Sequence, residues 1–246
     1  EESNKLIRSG KKVYKFGFGQ SPFPIPDSIV LALKNAADKN TYLQMQGLEK
    51  LRSTIANHMN KYNNNQFESD DIVIGPGTKE LMFLTQLAFN GDILLPAPSW
   101  VSYAPQALIA KNKLHWIQTS SNTNWFPTAK QIEEKIKTIK NKNLILFINS
   151  PNNPSGTVCE NLKEIAAIAK KYKLVILSDE IYSRLTFHKK YVSISNYYPE
   201  GTIVSTGLSK WCGAGGWRLG FFAIPKELDN LKNSLKILCS ESFTSV

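Results

Sequence analysis

The chain has 246 residues, 42% of them apolar and 20% charged, a balance that excludes wholesale disorder. Its formal charge is +10, but the lysines spread through amphipathic stretches such as residues 130–142 and 163–173, which is the pattern of solvated helix faces and argues against nucleic-acid binding. Cys159, Cys212 and Cys239 are too few and too far apart for a disulfide framework or a metal site, no apolar run could span a bilayer, and the first residues lack the layout of a signal peptide, so a cytoplasmic location is expected.

In chain order, Pro22, Pro24 and Pro26 make residues 20–27 an extended lead-in to a helix over 27–39, which Asp27 is placed to cap. A second helix is expected over 48–62, just after Gly47. From residue 70 onward, short apolar runs alternate with amphipathic ones. Strands are expected at 72–74, 92–95, 114–117, 144–148, 174–177, 202–205 and 219–224. Helices are expected at 79–89, 103–110, 128–140, 161–172 and 226–238. Runs such as Leu144-Ile-Leu-Phe-Ile148 are apolar at every position, as strands buried on both faces must be. The alternation predicts an α/β fold, an open and mostly parallel sheet covered by helices on both faces.

In such sheets ligands bind beyond the carboxyl ends of the strands, and five of these ends carry distinctive residues. Gly75-Pro-Gly77-Thr78-Lys79 follows the first strand and opens a helix, whose free N–H groups and Thr78 hydroxyl suit a phosphate. Pro96-Ala-Pro-Ser-Trp100 follows the second and supplies an aromatic plane. Asn149-Ser-Pro-Asn-Asn153-Pro-Ser-Gly-Thr157 and Ser178-Asp179-Glu180-Ile-Tyr182 follow two others. The fifth is Ser205-Thr-Gly-Leu-Ser209-Lys210-Trp-Cys-Gly-Ala-Gly-Gly-Trp-Arg218, a lysine eight residues before an arginine in a glycine-rich loop. An amine held off the surface can form a Schiff base with an aldehyde, and a guanidinium can grip a phosphate, which together suit pyridoxal phosphate. Each segment alone is ordinary turn, packing or capping chemistry, but a single ligand accounts for all five.

On these motifs, above all Ser150-Pro-Asn-Asn-Pro-Ser-Gly-Thr157, Ser178-Asp-Glu-Ile-Tyr182 and Lys210 to Arg218, the sequence resembles the pyridoxal-phosphate-dependent class I/II aminotransferases of the aspartate aminotransferase fold type. The resemblance runs from Gly17-Phe-Gly19 to the expected last helix. It implies a three-layer large domain whose seven-stranded sheet has its last strand antiparallel. It further implies that Lys210 carries the cofactor as a Schiff base and later acts as general base, and that Asp179 pairs with the pyridine nitrogen. Tyr182 and Asn153 would meet the ring's phenolic oxygen, and Trp100 would stack on the ring. Gly77, Thr78, Lys79, Ser209 and Arg218 would surround the phosphate, with Tyr42 reaching across from the partner subunit of a homodimer. Gly19, with Trp100 and Asn153, would face the substrate. The implied reaction transfers an amino group from an L-amino acid to a 2-oxo acid by ping-pong steps. A carbon–sulfur lyase, a cyclopropane-forming synthase, or a cofactor-binding module without turnover would keep the same cofactor residues.

Two departures from the family pattern stand out. Gly207 occupies a position where many relatives carry a phosphate-binding serine, leaving Ser209 or Ser205 to compensate. Family members also continue well past residue 246, and that continuation supplies the arginine that grips the substrate carboxylate. Arg8, Arg52 and Arg184 do not sit in matching contexts. The expected organisation is an N-terminal segment over 1–40 associated with the small domain and the dimer interface, a cofactor-binding domain over 41–225, and the start of a truncated small domain over 226–246, where residues 240–246 resemble the opening of the family's continuation.

Overall fold

The apolar runs become the strands of one sheet: β1 (Ile72–Gly75), β2 (Asp92–Ala97), β3 (Leu114–Gln118), β4 (Leu144–Asn149), β5 (Val175–Asp179), β6 (Thr202–Gly207) and β7 (Gly220–Ala223). The structure is a computed structural model and describes residues 1–14, 19–62, 65–187 and 190–242. Gly17 and Phe18, where the family resemblance begins, and residues 243–246 of the segment that resembles the opening of the family's continuation lie outside the described residues. The strand order is β1-β7-β6-β5-β4-β2-β3. Strands β2 to β6 pair parallel, and β7 runs antiparallel to both β1 and β6, as expected. Every residue of β4 and β5 is buried, because these central strands are covered on both faces.

Strand residues alternate between faces, so Val175 and Leu177 join one core while Ile176 joins the other. The first core packs under α4 (Thr78–Ala88), α5 (Tyr103–Ile109) and α8 (Asp229–Ser242). The opposite face packs against α3 (Glu49–Asn60), α6 (Ala129–Thr138) and α7 (Leu162–Lys171). Thr128 caps α6 in a reciprocal box with Gln131. Buried Lys232 ties α8 to the start of β1, its Nζ 2.8 Å from Asp71 Oδ1 and 2.6 Å from Asp229 Oδ1.

Three local expectations change. The sequence gives no signal for α1 (Glu2–Arg8), which buries none of its residues. Helix α2 (Asp27–Lys34) stops five residues short of the expected end; it too buries no side chain, and packing is what usually sustains a helix of this length. Its N-cap is Pro26, so Asp27 is the first helical residue, favourable to the helix dipole but bonding no N–H as a cap. The last helical segment begins as a 3-10 turn at Lys226–Leu228 and continues as α8.

Candidate active site

Strand β5 delivers Asp179 to the sheet edge on the face covered by α5. The carboxylate is 5% exposed. Its Oδ2 accepts from the Tyr103 hydroxyl at 2.6 Å, and its Oδ1 accepts from the Ile181 N–H at 3.3 Å. Burial pushes its pKa up to about 6, opposed by those two donors and by the Lys210 charge. A carboxylate so deeply buried, with its charge only partly balanced, suits a cationic ring nitrogen.

The β4 end is locked to the β5 end. Asn149 Nδ2 donates to the Asp179 carbonyl at 2.9 Å, and its Oδ1 accepts from the Asn153 N–H at 2.8 Å. This sets Asn153 beside Tyr182, with Nδ2 3.4 Å from the phenolic oxygen. Burial raises the Tyr182 pKa, and the Asn153 bond opposes the rise. The Lys210 Nζ stands 5.7 Å from the Tyr182 ring centroid and donates to the Gly19 carbonyl at 2.8 Å. Burial lowers the Lys210 pKa, the Arg218 charge lowers it further, and Asp179 opposes both. A depressed pKa raises the neutral fraction that can act as a nucleophile.

The phosphate end is built on close backbone approach. Gly77, at φ +89°, is the N-cap of α4, which Thr78 and Lys79 begin. A Cβ on Gly77 would overlap the Arg218 guanidinium, and one on Gly220 would lie 2.5 Å from the Thr78 nitrogen. These two glycines therefore let the start of β7 lie against the N-terminus of α4, where unpaired N–H groups and the helix dipole favour an anion. Arg218, itself in the left-handed region at φ +57°, donates to the Gly215 carbonyl at 2.8 Å and the Pro76 carbonyl at 3.2 Å. Lys79 Nζ lies 5.8 Å from the Trp100 ring centroid, and Trp100 meets Tyr103 edge-on at 5.3 Å.

Gly207 has a steric reason. It pairs with Gly220, and an added Cβ would lie 2.6 Å from the Leu219 carbonyl oxygen and 2.8 Å from the Gly220 Cα. Ser205 pairs with Asp179 and Phe222 inside the sheet; it is fully buried, and its Oγ has no hydrogen-bond partner among the described residues. Ser209 is half-buried on the lysine loop itself. Tyr42 is 90% exposed. Arg52 is committed to the Gly47 and Ser69 carbonyls, Asp70 and Gln44, and Arg184 to His58 and the face of Trp211.

Sequence reasoning overlooked Tyr103, Asn149 and the Lys210–Gly19 contact. Tyr103 lies three residues beyond Trp100, a spacing that places both on one side of a turn and could have drawn attention to it.

A family model for aminotransferase class I and II matches residues 11–245. The chain belongs to the class I and II aminotransferase family. It is 33% identical over 224 residues to an aspartate aminotransferase of Pyrococcus horikoshii, covering 88% of this chain and 56% of that relative. It is 32% identical over 245 residues to the aspartate aminotransferase of a Bacillus species, covering 95% of this chain and 62% of the relative. Among solved structures, the aspartate aminotransferase of Thermus thermophilus with maleate superimposes with a TM-score of 0.90 at 26% identity, covering 99% of this chain and 64% of that one. The Thermotoga maritima aspartate aminotransferase gives 0.89 at 27% identity, covering 100% and 66%. The chain thus spans about three-fifths of the length of these curated relatives. Among the described residues, no helix is long and apolar enough to cross a membrane.

Proposed function

We propose that this aminotransferase-family chain is the cofactor-binding part of an enzyme that moves an amino group from an L-amino acid to a 2-oxo acid, using pyridoxal 5'-phosphate. The observation that carries the reading is the convergence of Lys210, Asp179, Tyr182 and Asn153 on one sheet edge, beside the Gly77–Arg218 cradle. Bound there, pyridoxal phosphate supplies an aldehyde that condenses with amines and a ring that accepts electrons when a Cα bond breaks.

The chain's own residues do the rest. Asp179 holds a proton on the pyridine nitrogen, and Tyr103 and the Ile181 N–H fix the carboxylate that does so. Tyr182 and Asn153 donate to the phenolic oxygen. Arg218, Thr78, Ser209, Lys79 and the Gly77 turn hold the phosphate, and Trp100 covers the ring. Lys210 Nζ, its basicity reduced by burial, would take the proton from the substrate's Cα and give it back at the cofactor's exocyclic carbon. Gly19, Trp100 and Asn153 face the substrate.

The exposure of Tyr42 supports its role at the phosphate of a second subunit in a cytoplasmic homodimer. In the same reading, residues 1–40 belong with the small domain and the subunit interface, 41–225 with the cofactor, and 226–246 with the helix that leads into the small domain. Relatives named aspartate aminotransferases make aspartate the first donor to try. The test is the absorbance of the protein with pyridoxal phosphate before and after a panel of amino acids. Conversion of bound cofactor to its amine form supports transamination. Bound cofactor that yields ammonia and a cleaved side chain instead supports a lyase, and bound cofactor unchanged by every amino acid supports a binding module.

A further inference from the structure

Asp179 and Glu180 are adjacent carboxylates at the end of β5, and strand alternation sends them to opposite faces of the sheet. Asp179 meets Tyr103, whereas Glu180 meets hydroxyls on the far side. Glu180 Oε1 accepts from the Ser178 hydroxyl at 2.9 Å and from the Ser193 hydroxyl at 2.5 Å. Glu180 is 5% exposed, and the nearby Tyr191 hydroxyl is buried with no hydrogen-bond partner among the described residues. Ser193 caps the 3-10 turn Ile194–Asn196 through the Ser195 N–H at 3.2 Å, and its hydroxyl lies 2.8 Å from that of Ser195. The backbone of Glu180 is held as well, its N–H donating to the Ser205 carbonyl at 2.8 Å and its carbonyl accepting from the Ser183 N–H at 2.9 Å.

Between β5 and β6 the chain makes a long excursion that carries Tyr182. The Glu180–Ser193 bond joins two residues of it that are 13 apart in sequence. We propose that Glu180 is a positioning residue that clamps this excursion from the far face of the sheet, so that Asp179 and Tyr182 present fixed atoms to the cofactor. The inference rests on the cofactor reading above. Burial pushes the Glu180 carboxyl up to about 7, with the Ser193 and Ser178 hydroxyls opposing, so its role is to accept hydrogen bonds and does not require a full charge. A glutamine Oε1 can accept from the same two serines, and an alanine can accept from neither.

The experiment is pyridoxal phosphate titration of the full chain and of Glu180→Ala, Glu180→Gln and Ser193→Ala, followed by absorbance. Glu180→Ala is expected to weaken binding by about tenfold, equivalent to ~1.4 kcal/mol. It should also move the absorbance maximum of the bound cofactor, because Asp179 and Tyr182 face that chromophore. Glu180→Gln should stay within about threefold of the parent and keep its spectrum. Ser193→Ala should follow Glu180→Ala in direction. Glu180→Ala with parental affinity and spectrum overturns the proposal, as does Glu180→Gln as impaired as alanine. If Glu180→Ala does not fold, an unchanged Ser193→Ala overturns it. A parent chain that takes up no pyridoxal phosphate overturns the cofactor reading itself, and this proposal with it.

Discussion

The Tyr103 hydroxyl donates to Asp179 Oδ2 across 2.6 Å, joining the helix after β2 to the end of β5 over 76 residues of sequence. Tyr103 is 1% exposed and packs on Phe147 at 5.0 Å as well as on Trp100. One side chain thus sets both the carboxylate expected at the ring nitrogen and the indole expected over the ring face.

Tyr103→Phe keeps the packing and removes the bond. Asp179 then loses the strongest of the influences that restrain its pKa, so its carboxyl rises further above about 6. Pyridoxal phosphate affinity at neutral pH should fall by about tenfold, and the melting temperature of the cofactor-free protein should fall with it, since the loss falls on a buried charge-assisted bond. Titration by absorbance measures it, and unchanged affinity would remove Tyr103 from the site.

Gly77→Ala places a Cβ against the Arg218 guanidinium at a backbone angle that favours glycine. The expected result is a loss of about 1–2 kcal/mol in stability and weaker binding of pyridoxal phosphate. Binding of pyridoxal, which lacks the phosphate, should change little. Equal losses for the two compounds would place the phosphate elsewhere.

Gly207→Ser restores the residue that many relatives carry and should nonetheless destabilise this chain. Its Cβ would sit 2.6 Å from the Leu219 carbonyl oxygen, so β6 and β7 must part locally. A lowered melting temperature without tighter phosphate binding is expected. Tighter binding would mean that the strands yield and that the serine role was simply vacant.

The pH dependence of stability has a definite sign. Burial raises Asp179 from 3.8 to about 6 and Glu180 from 4.5 to about 7. Between those limits the folded chain holds protons that the unfolded chain has released, so stability falls as pH rises from about 4 to about 7. Each group contributes a change on the order of 3 kcal/mol. Asp179→Asn removes one share, so in thermal melts of the cofactor-free protein its advantage over the parent should grow from about pH 4 to about pH 6. A difference that stays flat over this range would contradict the buried, partly balanced carboxylate.

The sheet was legible because burial on both faces leaves strands apolar at every position, as in β4 and β5. Asp179, Asn153, Lys210 and Arg218 were legible because their neighbours form recurring turn motifs. Tyr103 and Asn149 were not, since a tyrosine in an amphipathic helix reads as core and an asparagine at a strand end reads as a turn former; only the fold brings each to the end of β5. The Lys210–Gly19 bond spans 191 residues, a separation no local pattern encodes. Helix α2 was overextended because Ala36, Ala37 and Lys39 favour a helix, whereas the chain leaves it after Lys34 with Asn35 and Asp38, poorer helix formers, among the next residues. Gly207 looked like a missing ligand until its pairing with Gly220 showed that no side chain fits.

The central claim is that Lys210 is the amine that meets the cofactor's aldehyde. Borohydride reduction after incubation with pyridoxal phosphate, followed by peptide mass mapping, locates that amine directly. The pyridoxyl group is predicted on the peptide containing Lys210, with Lys210→Ala leaving no single labelled site. Label on Lys79, or spread over the exposed lysines with Lys210 unmodified, would contradict the account.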